Sequence, residues 1–442
     1  MPKCEKSAAT SVATQLQEAG HTAYLVGGCV RDELLGLTPK DFDVATDATP
    51  AQIIEIFPKT ESIGAHFGVV LVKLDGLGIE VATFRTDGSY GDGRRPDSVE
   101  FSTPEEDAFR RDFTINALFQ DPVSGDIIDH VGGLADLEAQ QIRAVGDPVE
   151  RFTEDGLRLM RAIRFAVHTG FEIEPATWQA IQELAPTLER IAIERVQVEF
   201  SKIVLSPNRA RGFQLLTDSG LFAIFMPEVL DLIGCEQPPQ WHPEGDVFVH
   251  TRIMLEMVDP AAPLELALAV LLHDIGKPGT QTFDEKDQRI RFNGHDSLGA
   301  EMAREILSRL KYPNALIDTV EHMVARHMQF MNVMQMRVAK LKRFMSPECF
   351  ELEMELHRVD CASSNGFTEN YDYLRQKQEE FANEPIIPEP LVTGADLIQR
   401  GHRPGPNFRG ILEAIQTEQL EGTITSREQA LAFLEQNFPA SE

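Results

Sequence analysis

The sequence predicts an α+β multidomain protein, in which an N-terminal head with a small mixed sheet and helices precedes a series of all-helical domains. The chain has 442 residues, and a single hydrophobic core stops growing near about 250 to 300 residues. Over the first 146 residues, β-branched runs alternate with helical patterns, whereas from about Asp147 onward the apolar spacing is wholly helical. We therefore expect more than one core, with the sheet confined to the first.

The segment Leu25–Asp43 carries most of the chemical information in the head. Its sequence, LVGGCVRDELLGLTPKDFD, predicts a strand, a glycine turn, a short helix and a second strand that carries Asp41 and Asp43. Because side chains alternate along a strand, the two aspartates should point the same way. Neighbouring carboxylates repel each other unless a cation neutralises them, and Mg²⁺ prefers such oxygen ligands. The segment therefore predicts a Mg²⁺ site.

Gly27 and Gly28, between the strand and the helix, suit a phosphate group. Glycine lets backbone N–H groups approach a ligand closely, and a helix N-terminus favours negative charge. The pair could also form an ordinary tight turn, and Arg31 and Asp32, which open the helix, could simply pair with each other. A phosphate-binding turn next to two metal-binding carboxylates would form a site for a nucleoside triphosphate with its metal. Such a site indicates nucleotidyl transfer.

Other elements of the head are marked by local signals. Gly68–Leu74 and Ile79–Arg85 are β-branched runs that Asp75–Gly78 joins, which predicts a hairpin. Thr103–Glu106 reads Thr-Pro-Glu-Glu, a capping box with proline at the first helical position. It predicts the start of a helix that carries Arg110–Asp112.

The composition excludes several classes of protein. No apolar run approaches the roughly 18 residues needed to span a bilayer, and Met1–Gly20 is too polar for a signal peptide. The five cysteines are odd in number and form no CxxC pair, which argues against a disulfide framework or a zinc cluster and fits a reducing cytosol. We expect a cytoplasmic protein without a membrane segment.

The formal net charge of −29 is unfavourable for binding nucleic acid, because such affinity comes largely from cationic contacts with phosphates. A local basic track can still exist on an acidic protein. Arginines concentrate in the N-terminal head, in the helical segment that follows it and in Arg337–Arg343, which reads RVAKLKR. The latter group could equally be the solvated face of a helix.

The pattern GGxVRDxLLGx₄DFD in Leu25–Asp43 resembles the first motif of the class II tRNA nucleotidyltransferase and bacterial poly(A) polymerase family. A glycine pair or a DxD pair alone would be unspecific, but four further blocks follow in the family's order. These blocks are Glu80–Arg85 (EVATFR), Arg110–Ala117 (RRDFTINA), Arg151–Arg158 (RFTEDGLR) and Glu194–Glu199 (ERVQVE).

The resemblance implies that Asp41 and Asp43 bind Mg²⁺ and that Glu80, which opens the second hairpin strand, is a third carboxylate at or near the metals. Two metal ions about 3.5 to 4 Å apart would stabilise the attacking and leaving oxygens when an RNA 3′-hydroxyl attacks an α-phosphate. Glu80 could instead be a solvated strand end. In the family, the triphosphate is held by the block that contains Gly27, Gly28 and Arg31.

Arg111, Asp112 and Asn116 are predicted to lie on one helix, at spacings of one and four residues. By resemblance, Arg111 would lie near the triphosphate and Asn116 near the ribose. An intrahelical ion pair with a cap is the alternative for this group.

Glu154, Asp155 and Arg158 are predicted to share one helix face, because residues three and four apart are neighbours on a helix. Asp155 can accept from an exocyclic amine, as carboxylates do with cytosine N4, and Arg158 can donate to a ring nitrogen or carbonyl. In the family this pair is an amino-acid template that selects CTP and ATP and rejects GTP and UTP. A salt-bridged helix surface is the alternative. Arg161 and Arg164 continue the face, toward the primer or the triphosphate.

A second constellation begins where the apolar helix Leu264–Leu272 ends in His273 and Asp274. These two side chains can converge on a metal only if ligands arrive from other helices. The set resembles the HD phosphohydrolase superfamily, in which His250 and Asp360 would complete the core ligands. The further candidates are His295 and His327, with His322 as a competitor for His327.

Imidazole and carboxylate ligands suit Ni²⁺, Mn²⁺, Fe²⁺ or Zn²⁺ better than Mg²⁺ alone. Such an ion lowers the pKa of a water molecule and generates a nucleophile for phosphoester hydrolysis. Some relatives carry this domain and hydrolyse 2′,3′-cyclic phosphates or 2′-nucleotides, which would repair damaged 3′ ends. Satisfied core histidines are the alternative for each residue taken alone.

The resemblance as a whole implies an enzyme that adds CCA, or part of it, to the 3′ end of tRNA from CTP and ATP. One alternative is a poly(A) polymerase of the same family, although the acidic tail argues against it. Another is an HD phosphohydrolase with a vestigial RNA-binding head. The segment Thr86–Pro96 corresponds to the family's flexible loop, and its ordinary length argues against C-only addition. We expect a monomer or a homodimer.

Two proline-rich segments, Cys235–Pro243 and Glu384–Pro390, predict domain boundaries. The expected domains are a nucleotidyltransferase head at residues 1–146, an RNA-binding helical neck with the base-recognition motif at 147–235, an HD domain at 236–383 and a tail at 384–442. The tail resembles the C-terminal segment of bacterial family members and would contact tRNA or complete an interface. A packed helix pair is the alternative.

Overall fold

The computed structural model describes residues 4–64, 68–87, 99–240, 242–364, 366–382 and 385–440. They form two compact units. The first unit runs to Leu230 and also takes in residues 259–261 and 309–311, and the second contains the rest. Residues 88–98, which include most of the predicted flexible loop Thr86–Pro96, lie outside the described residues. Within the described ranges, no helix has the length and hydrophobicity that a membrane crossing requires.

The head contains the mixed sheet that the sequence predicts, so the α+β class is confirmed. Its elements in chain order are α1 (Glu5–Glu18), β1 (Ala23–Val26), α2 (Gly28–Leu34), β2 (Asp43–Thr46), α3 (Pro50–Ile56), β3 (Thr60–Gly64), β4 (Val69–Leu74), β5 (Leu77–Thr83), β6 (Arg85–Asp87), β7 (Val99–Phe101), α4 (Pro104–Phe109), β8 (Leu118–Gln120), β9 (Ile127–Asp129), α5 (Gly133–Glu138) and β10 (Gln141–Ile142). Seven strands form one sheet of order β3-β4-β5-β2-β1-β8-β9. Strands β2 and β5 are parallel and the other neighbours are antiparallel.

The predicted hairpin is formed by β4 and β5, with a tighter turn than expected. Only Asp75 and Gly76 connect the strands, with φ angles of 57° and 88°. Two left-handed residues are the requirement of a type I′ turn, for which Asp-Gly is a preferred sequence. Because β5 begins at Leu77, Glu80 lies in the middle of the strand and not at its start.

Helix α4 begins with the predicted capping box. It ends before the residues Arg110–Asp112 that it was predicted to carry. Thr103 Oγ1 accepts from Glu106 N at 3.3 Å, and Thr103 N donates to Glu106 Oε2 at 3.2 Å. The helix ends at Phe109. The prediction that one helix carries Arg111, Asp112 and Asn116 is therefore wrong.

The reason for this break is the buried Phe113. Its backbone is extended (φ −128°, ψ 146°) and pairs with Ala144, and its ring is fully buried. Phe113 N also donates to Asp112 Oδ1 at 2.8 Å. A short 3₁₀ turn, Thr114–Asn116, then returns the chain to the sheet.

The neck is helical apart from one short strand, so the prediction of a wholly helical pattern after Asp147 is not strictly right. Its elements are α6 (Pro148–Glu154), α7 (Leu157–Thr169), β11 (Glu172–Ile173), α8 (Pro175–Leu184), α9 (Ile193–Val204), α10 (Arg209–Asp218) and α11 (Phe222–Phe225), with a 3₁₀ helix at Ala185–Arg190. Strand β11 pairs in parallel with β10. Helix α7 packs against α9 and supplies one wall of the site described below.

The second unit is also helical except for one two-stranded ribbon. Its elements are α12 (Val247–Met257), α13 (Leu264–Leu272), α14 (Lys277–Thr280), β12 (Thr282–Asp284), β13 (Arg289–Arg291), α15 (His295–Arg309), α16 (Asn314–Arg326), α17 (Val338–Phe344), α18 (Phe350–Ser363), α19 (Glu369–Phe381), α20 (Gly394–Gln399), α21 (Asn407–Leu420) and α22 (Arg427–Asn437). Helix α13 has the predicted bounds. One apolar core includes Phe330, Phe344 and Phe350, and the last three helices bury a separate core.

Candidate functional sites

The carboxylates Asp41, Asp43 and Glu80, here called the acidic cluster, lie at one end of the sheet. Asp43 is the first residue of β2, and the parallel pairing of β2 with β5 places it beside Glu80. Asp41 precedes the strand, so the prediction that the strand carries both aspartates is wrong. Burial, followed by the charges of Asp41 and Glu80, raises the pKa of Asp43 to about 6, against the opposing effect of Arg111. The cluster therefore has surplus negative charge that a divalent cation would neutralise.

The glycine turn lies between β1 and α2, next to the acidic cluster. Gly27 has φ 81°, a left-handed conformation that favours glycine, and a Cβ there would lie 3.3 Å from Arg111 Nη1. Helix α2 begins at Gly28 and not at Arg31, so Arg31 lies within the first turn of the helix. Gly27 thus permits the close approach of an arginine to the backbone.

Two arginines beside this turn are held by carboxylates. Buried Arg31 donates Nε to Asp32 Oδ1 at 2.8 Å, and its Nη1 donates to Asn116 Oδ1. Arg111 donates Nη2 to Asp107 Oδ2 at 2.9 Å. The buried Asp107 has a lowered pKa because the attraction of Arg111 and Arg110 outweighs the effect of burial. The two guanidinium groups are consequently fixed in orientation.

Asp112 connects the head to α7. Its Oδ2 accepts from Arg161 Nε at 2.7 Å and its Oδ1 accepts from Asn116 Nδ2 at 3.2 Å. Burial opposes ionisation, but Arg161 lowers the pKa of Asp112 to about 2. Arg164 pairs with buried Glu199 at 3.2 Å, while burial and the neighbouring Arg161 lower its pKa to about 10. Arg161 and Arg164 therefore face the head from α7.

These side chains surround a cleft with a volume of about 570 Å³. Its lining contains the predicted metal-binding and nucleotide-binding residues of the head and neck except Glu80, which lies beside Asp43 on the sheet, and it does not include Asp32 or Glu154. The lining also contains Arg110, Leu157, Phe165 and Arg195. The cleft joins the acidic cluster to a concentration of guanidinium groups, which is the charge arrangement that a metal-bound triphosphate requires.

The predicted base-recognition residues reach the cleft, but not from one helix. Helix α6 ends at Glu154, Asp155 has an extended backbone, and Arg158 belongs to α7, so the prediction of a shared helix face is wrong. Asp155 Oδ2 accepts from Arg195 Nη2 at 2.8 Å. Arg158 Nη1 donates to Glu154 Oε2 at 2.6 Å and to Arg151 O at 2.7 Å. The long-range ion pair between Asp155 and Arg195 therefore accompanies the non-helical conformation of Asp155.

In the second unit, four predicted ligands converge from three helices. His250 Nε2 lies 3.3 Å from Asp360 Oδ1 and 3.9 Å from Asp274 Oδ2, and His273 Nε2 lies 3.1 Å from Asp274 Oδ2. His250, His273 and Asp274 are almost fully buried. Among the residues that the structure describes, His250 Nε2 and His273 Nε2 have no hydrogen-bond partner, and one ligand atom from each of His250, His273 and Asp274 lies within 4.8 Å of the others. Buried imidazole nitrogens without partners, grouped around a carboxylate, are suited to bind a metal ion.

His295 and His327 extend the same group on the other side of Asp274. Their Nε2 atoms lie 3.1 Å apart and 3.5 Å and 3.9 Å, respectively, from Asp274 Oδ1. Burial and the adjacent His273 lower the pKa of His327 to about 4, which keeps its imidazole neutral and able to bind metal. We call the six residues His250, His273, Asp274, His295, His327 and Asp360 the HD cluster.

Comparison with known proteins finds three family models along this chain. Residues 23–143 match the family model described as a poly A polymerase head domain, residues 170–233 match a probable RNA and SrmB-binding site of polymerase A, and residues 246–362 match the HD domain. A CCA-adding enzyme of Latilactobacillus sakei is 45% identical over 258 residues, which are 57% of this chain and 64% of the relative. One of Ligilactobacillus salivarius is 49% identical over 215 residues, which are 48% of this chain and 53% of the relative.

The three domains follow one another in the order that the motif blocks predict. The chain belongs to the class II tRNA nucleotidyltransferase and poly(A) polymerase family. Its matched region spans less than two thirds of the length of these curated relatives. The chain is similar to the crystal structure of the Bacillus stearothermophilus CCA-adding enzyme in complex with CTP. The similarity covers 98% of each chain, with a TM-score of 0.77 and 29% sequence identity. The Thermotoga maritima CCA-adding enzyme complexed with tRNA, at 21% identity and a TM-score of 0.61, shows a shared fold.

Sequence reasoning missed several residues of this family member's sites. Arg195 lies in the Glu194–Glu199 block and could have been found there, whereas Phe165 carried no signal. The Phe165 ring centroid lies 4.2 Å from the Arg164 guanidinium and 5.2 Å from those of Arg31 and Arg161. This ring therefore separates and orients three of the arginines that line the cleft.

Two residues next to the HD cluster were also missed. Glu244 Oε1 lies 2.8 Å from His250 Nδ1, so it holds this imidazole with Nε2 toward Asp274. Lys277 Nζ lies 2.6 Å from Asp274 Oδ2. Glu244 follows the proline-rich segment that was interpreted only as a boundary, which is why it drew no attention.

The structure also separates His322 from His327. His327 belongs to the HD cluster, whereas His322 Nε2 lies 3.2 Å from Glu353 Oε1 in another group. In the basic segment Arg337–Arg343, Lys342 lies over the Phe381 ring and Arg343 donates to Thr417. Two of the four basic residues of this segment therefore pack within their own unit.

Proposed function

We propose that this protein adds C, C and A to the 3′ end of tRNA, using CTP and ATP. The observation that carries the proposal is the acidic cluster at the edge of an arginine-lined cleft whose other wall holds Asp155 and Arg158. The proposal is supported by relatives named CCA-adding enzymes and by similar structures of CCA-adding enzymes with CTP, ATP and tRNA.

In this proposal, Asp41 and Asp43 hold Mg²⁺ and Glu80 is the third carboxylate. The raised pKa of Asp43 supports this assignment, since three carboxylates without a cation repel each other. Two bound Mg²⁺ ions would stabilise the attacking and leaving oxygens of in-line displacement. A carboxylate of the acidic cluster would accept the proton of the attacking 3′-hydroxyl, and pyrophosphate would leave as the new bond to the α-phosphate forms.

Triphosphate binding is assigned to the glycine turn and the arginines beside it. Gly27 and Gly28 allow backbone N–H groups to approach a phosphate oxygen, and Arg31 and Arg111 are already oriented by Asp32 and Asp107. The set of Asp112, Asn116, Arg161 and Arg164 would position the sugar and the primer end.

Base choice is assigned to Asp155 and Arg158. A carboxylate has about four lone-pair positions, so Asp155 keeps capacity for an exocyclic amine while it pairs with Arg195. Arg158 is held by Glu154 but retains further N–H donors. Cytosine and adenine both carry an exocyclic amine next to a ring acceptor, whereas guanine and uracil present a carbonyl there. This difference accounts for the selection of CTP and ATP.

The test of this assignment is incorporation of each single nucleotide into a tRNA that lacks its 3′ end. Asp41→Ala should abolish addition, because it removes a ligand of the catalytic metals. Asp155→Ala and Arg158→Ala should instead admit GTP and UTP. Full activity of Asp41→Ala would contradict the assignment. Unchanged discrimination against GTP and UTP in both Asp155→Ala and Arg158→Ala would also contradict it.

A second activity is supported by the HD cluster. We infer that it hydrolyses phosphoesters at RNA 3′ ends, with 2′,3′-cyclic phosphates as the substrate class, and takes Ni²⁺, Mn²⁺, Fe²⁺ or Zn²⁺. The nitrogen-rich ligand set carries this inference, together with His250 Nε2 and His273 Nε2, which have no hydrogen-bond partner among the described residues. A transition ion bound there would lower the pKa of water and supply a nucleophile at neutral pH. Hydrolysis of 2′,3′-cyclic AMP with Ni²⁺ that persists unchanged in His273→Ala/Asp274→Ala would contradict it.

We also propose the limits of four domains: a head at 1–146, a neck at 147–235, an HD domain at 236–383 and a tail at 384–442. The tail would contact tRNA, and the protein would act in the cytoplasm as a monomer or homodimer. Limited proteolysis with and without tRNA tests the limits and the role of the tail together.

A further inference from the structure

A second group of metal-ligating side chains lies in the second unit, outside the HD cluster. His322 of α16, Cys349 before α18 and Glu353 in the first turn of α18 each contribute one ligand atom, and these atoms lie within 4.8 Å of one another. We call these three residues the His322 cluster.

Glu353 is the unusual member of this group. It is only 1% exposed, and neither of its carboxylate oxygens has a hydrogen-bond partner among the residues that the structure describes. Burial raises the pKa of Glu353 to about 7 in spite of the opposing effect of Arg326. A buried carboxylate without hydrogen bonds is costly, and coordination of a metal ion is one of the few arrangements that offsets this cost.

Arg326 supplies only part of the compensation. Its Nε lies 3.3 Å from Glu353 Oε1 without forming a hydrogen bond. The guanidinium is committed elsewhere, since Nη2 donates to Phe344 O at 2.7 Å and the group lies over the Phe344 ring. Its Nη1 is 3.1 Å from His322 Nε2, a contact that a ligand of His322 would have to displace.

We propose that His322, Cys349 and Glu353 bind a transition ion of the Zn²⁺ type, with water in the fourth position. One imidazole, one thiolate and one carboxylate are the donors that Zn²⁺ accepts in tetrahedral sites, and a thiolate selects against Mg²⁺ and Ca²⁺. His322 and Cys349 are half-exposed, so an ion can enter and solvent can complete the shell. The ion would neutralise Glu353 and release Arg326 from His322.

The position of this site gives it a structural role toward the HD cluster. His322 and His327 come from α16 and the residue after it, and Glu353 and Asp360 both come from α18. Seven residues of helix span roughly 10 Å, so the ion would tie together the two helices that present His327 and Asp360. The site is separate from nucleotide addition and does not depend on the proposed function.

Cobalt substitution tests this proposal, because a thiolate bound to Co²⁺ gives a charge-transfer absorption in the near ultraviolet that nitrogen and oxygen ligands do not. The full-length reduced, metal-stripped protein should develop this absorption with Co²⁺ and lose it when Zn²⁺ is added. Cys349→Ser should abolish it. Glu353→Gln should weaken Co²⁺ binding at this site by at least about tenfold.

The chain offers two matched controls. Cys361→Ser changes a cysteine within α18 that is not part of the His322 cluster, and it should keep the absorption. His273→Ala/Asp274→Ala disrupts the HD cluster and should also keep it. The proposal is overturned if the parent shows no thiolate absorption, or if the absorption survives in Cys349→Ser with an unchanged circular dichroism spectrum.

Discussion

At the scale of single residues, Asp43 shows how the fold places a partly buried carboxylate next to two others, which creates a site that favours a cation. Its carboxylate is largely buried beside Asp41 and Glu80, and the fold raises its pKa to about 6. Asp112, also buried, has a pKa of about 2 because Arg161 faces it. Two aspartates in one cleft therefore differ in their need for an external cation, and only Asp43 requires one.

Asp43→Asn should stabilise the metal-free protein at high pH. A carboxyl whose pKa is raised in the folded state contributes stability below its unfolded pKa and loses it as pH rises through the folded value. At about pH 8 the variant should gain up to about 2 kcal/mol in the free energy of unfolding, since one pKa unit corresponds to about 1.4 kcal/mol and solvent screens part of it. Urea unfolding in the presence of a chelator measures this gain.

Below the unfolded pKa of 3.8 the gain should largely vanish, because Asp43 is then protonated in both the folded and the unfolded parent. Mg²⁺ should stabilise the parent at high pH but not the variant. A variant that is no more stable than the parent at high pH would show that the acidic cluster does not carry surplus charge.

Arg195→Ala should blur base choice almost as strongly as Asp155→Ala, because it removes the ion pair that holds the Asp155 carboxylate. We expect the preference for CTP over UTP to fall by about tenfold or more, as for loss of about 1.4 kcal/mol of discrimination. Single-nucleotide incorporation kinetics measure the ratio of kcat/KM values. Exposed Arg190→Ala is the matched control, and equal behaviour of the two variants would contradict the role of Arg195.

At the scale of elements, local signals were sufficient where neighbours in sequence are also neighbours in space. The Asp75-Gly76 hairpin, the Thr103 capping box and the bounds of α13 were predictable for this reason. The early end of α4 and the break between α6 and α7 were not, because buried Phe113 and the Asp155–Arg195 pair act across long sequence separations. The predicted residues nevertheless lie together in two sites. They were identified from the residues and order of the motif blocks, which do not depend on where each helix begins or ends.

Gly276 determines how closely α14 approaches α15. A Cβ at Gly276 would lie 2.4 Å from His295 O and 2.6 Å from Gly299 N, both backbone atoms. Gly276→Ala should therefore push α15 away, with a loss of about 2 to 3 kcal/mol of stability and weaker Ni²⁺ binding at the HD cluster. Denaturant unfolding and calorimetric titration with Ni²⁺ measure the two effects.

Gly279→Ala is the matched control for this change. A Cβ there would meet only the end of the Leu298 side chain, at 2.9 Å. Rotation of that side chain should limit the cost to less than about 1 kcal/mol. Equal effects of both substitutions would show that the backbone approach at Gly276 is not what positions His295.

At the scale of the whole molecule, a formal net charge of −29 coexists with a cleft lined by arginines. The cleft lining contains seven arginines and four aspartates, so positive charge is concentrated where the triphosphate would bind and the excess acidity lies outside the cleft. The acidic cluster and the HD cluster share no residue, and their donor sets differ in chemistry, oxygen in one and mostly nitrogen in the other. Two independent activities are expected from such an arrangement.

The independence of the two sites can be tested by reciprocal inactivation. Asp41→Ala should lose nucleotide addition and keep Ni²⁺-dependent hydrolysis of 2′,3′-cyclic AMP within about twofold, since its ligands lie elsewhere. His273→Ala/Asp274→Ala should show the opposite pattern with Mg²⁺. If either variant lost both activities while remaining folded, the two sites would be coupled.

The most direct test of the central claim is sequencing of RNA 3′ ends after incubation of the purified protein with Mg²⁺, all four nucleoside triphosphates and a tRNA that ends at the discriminator base. The account predicts that most products end in a single CCA, and that CTP alone gives only the addition of C. Products with long adenosine tails, or no addition while cyclic phosphates are still hydrolysed, would contradict it.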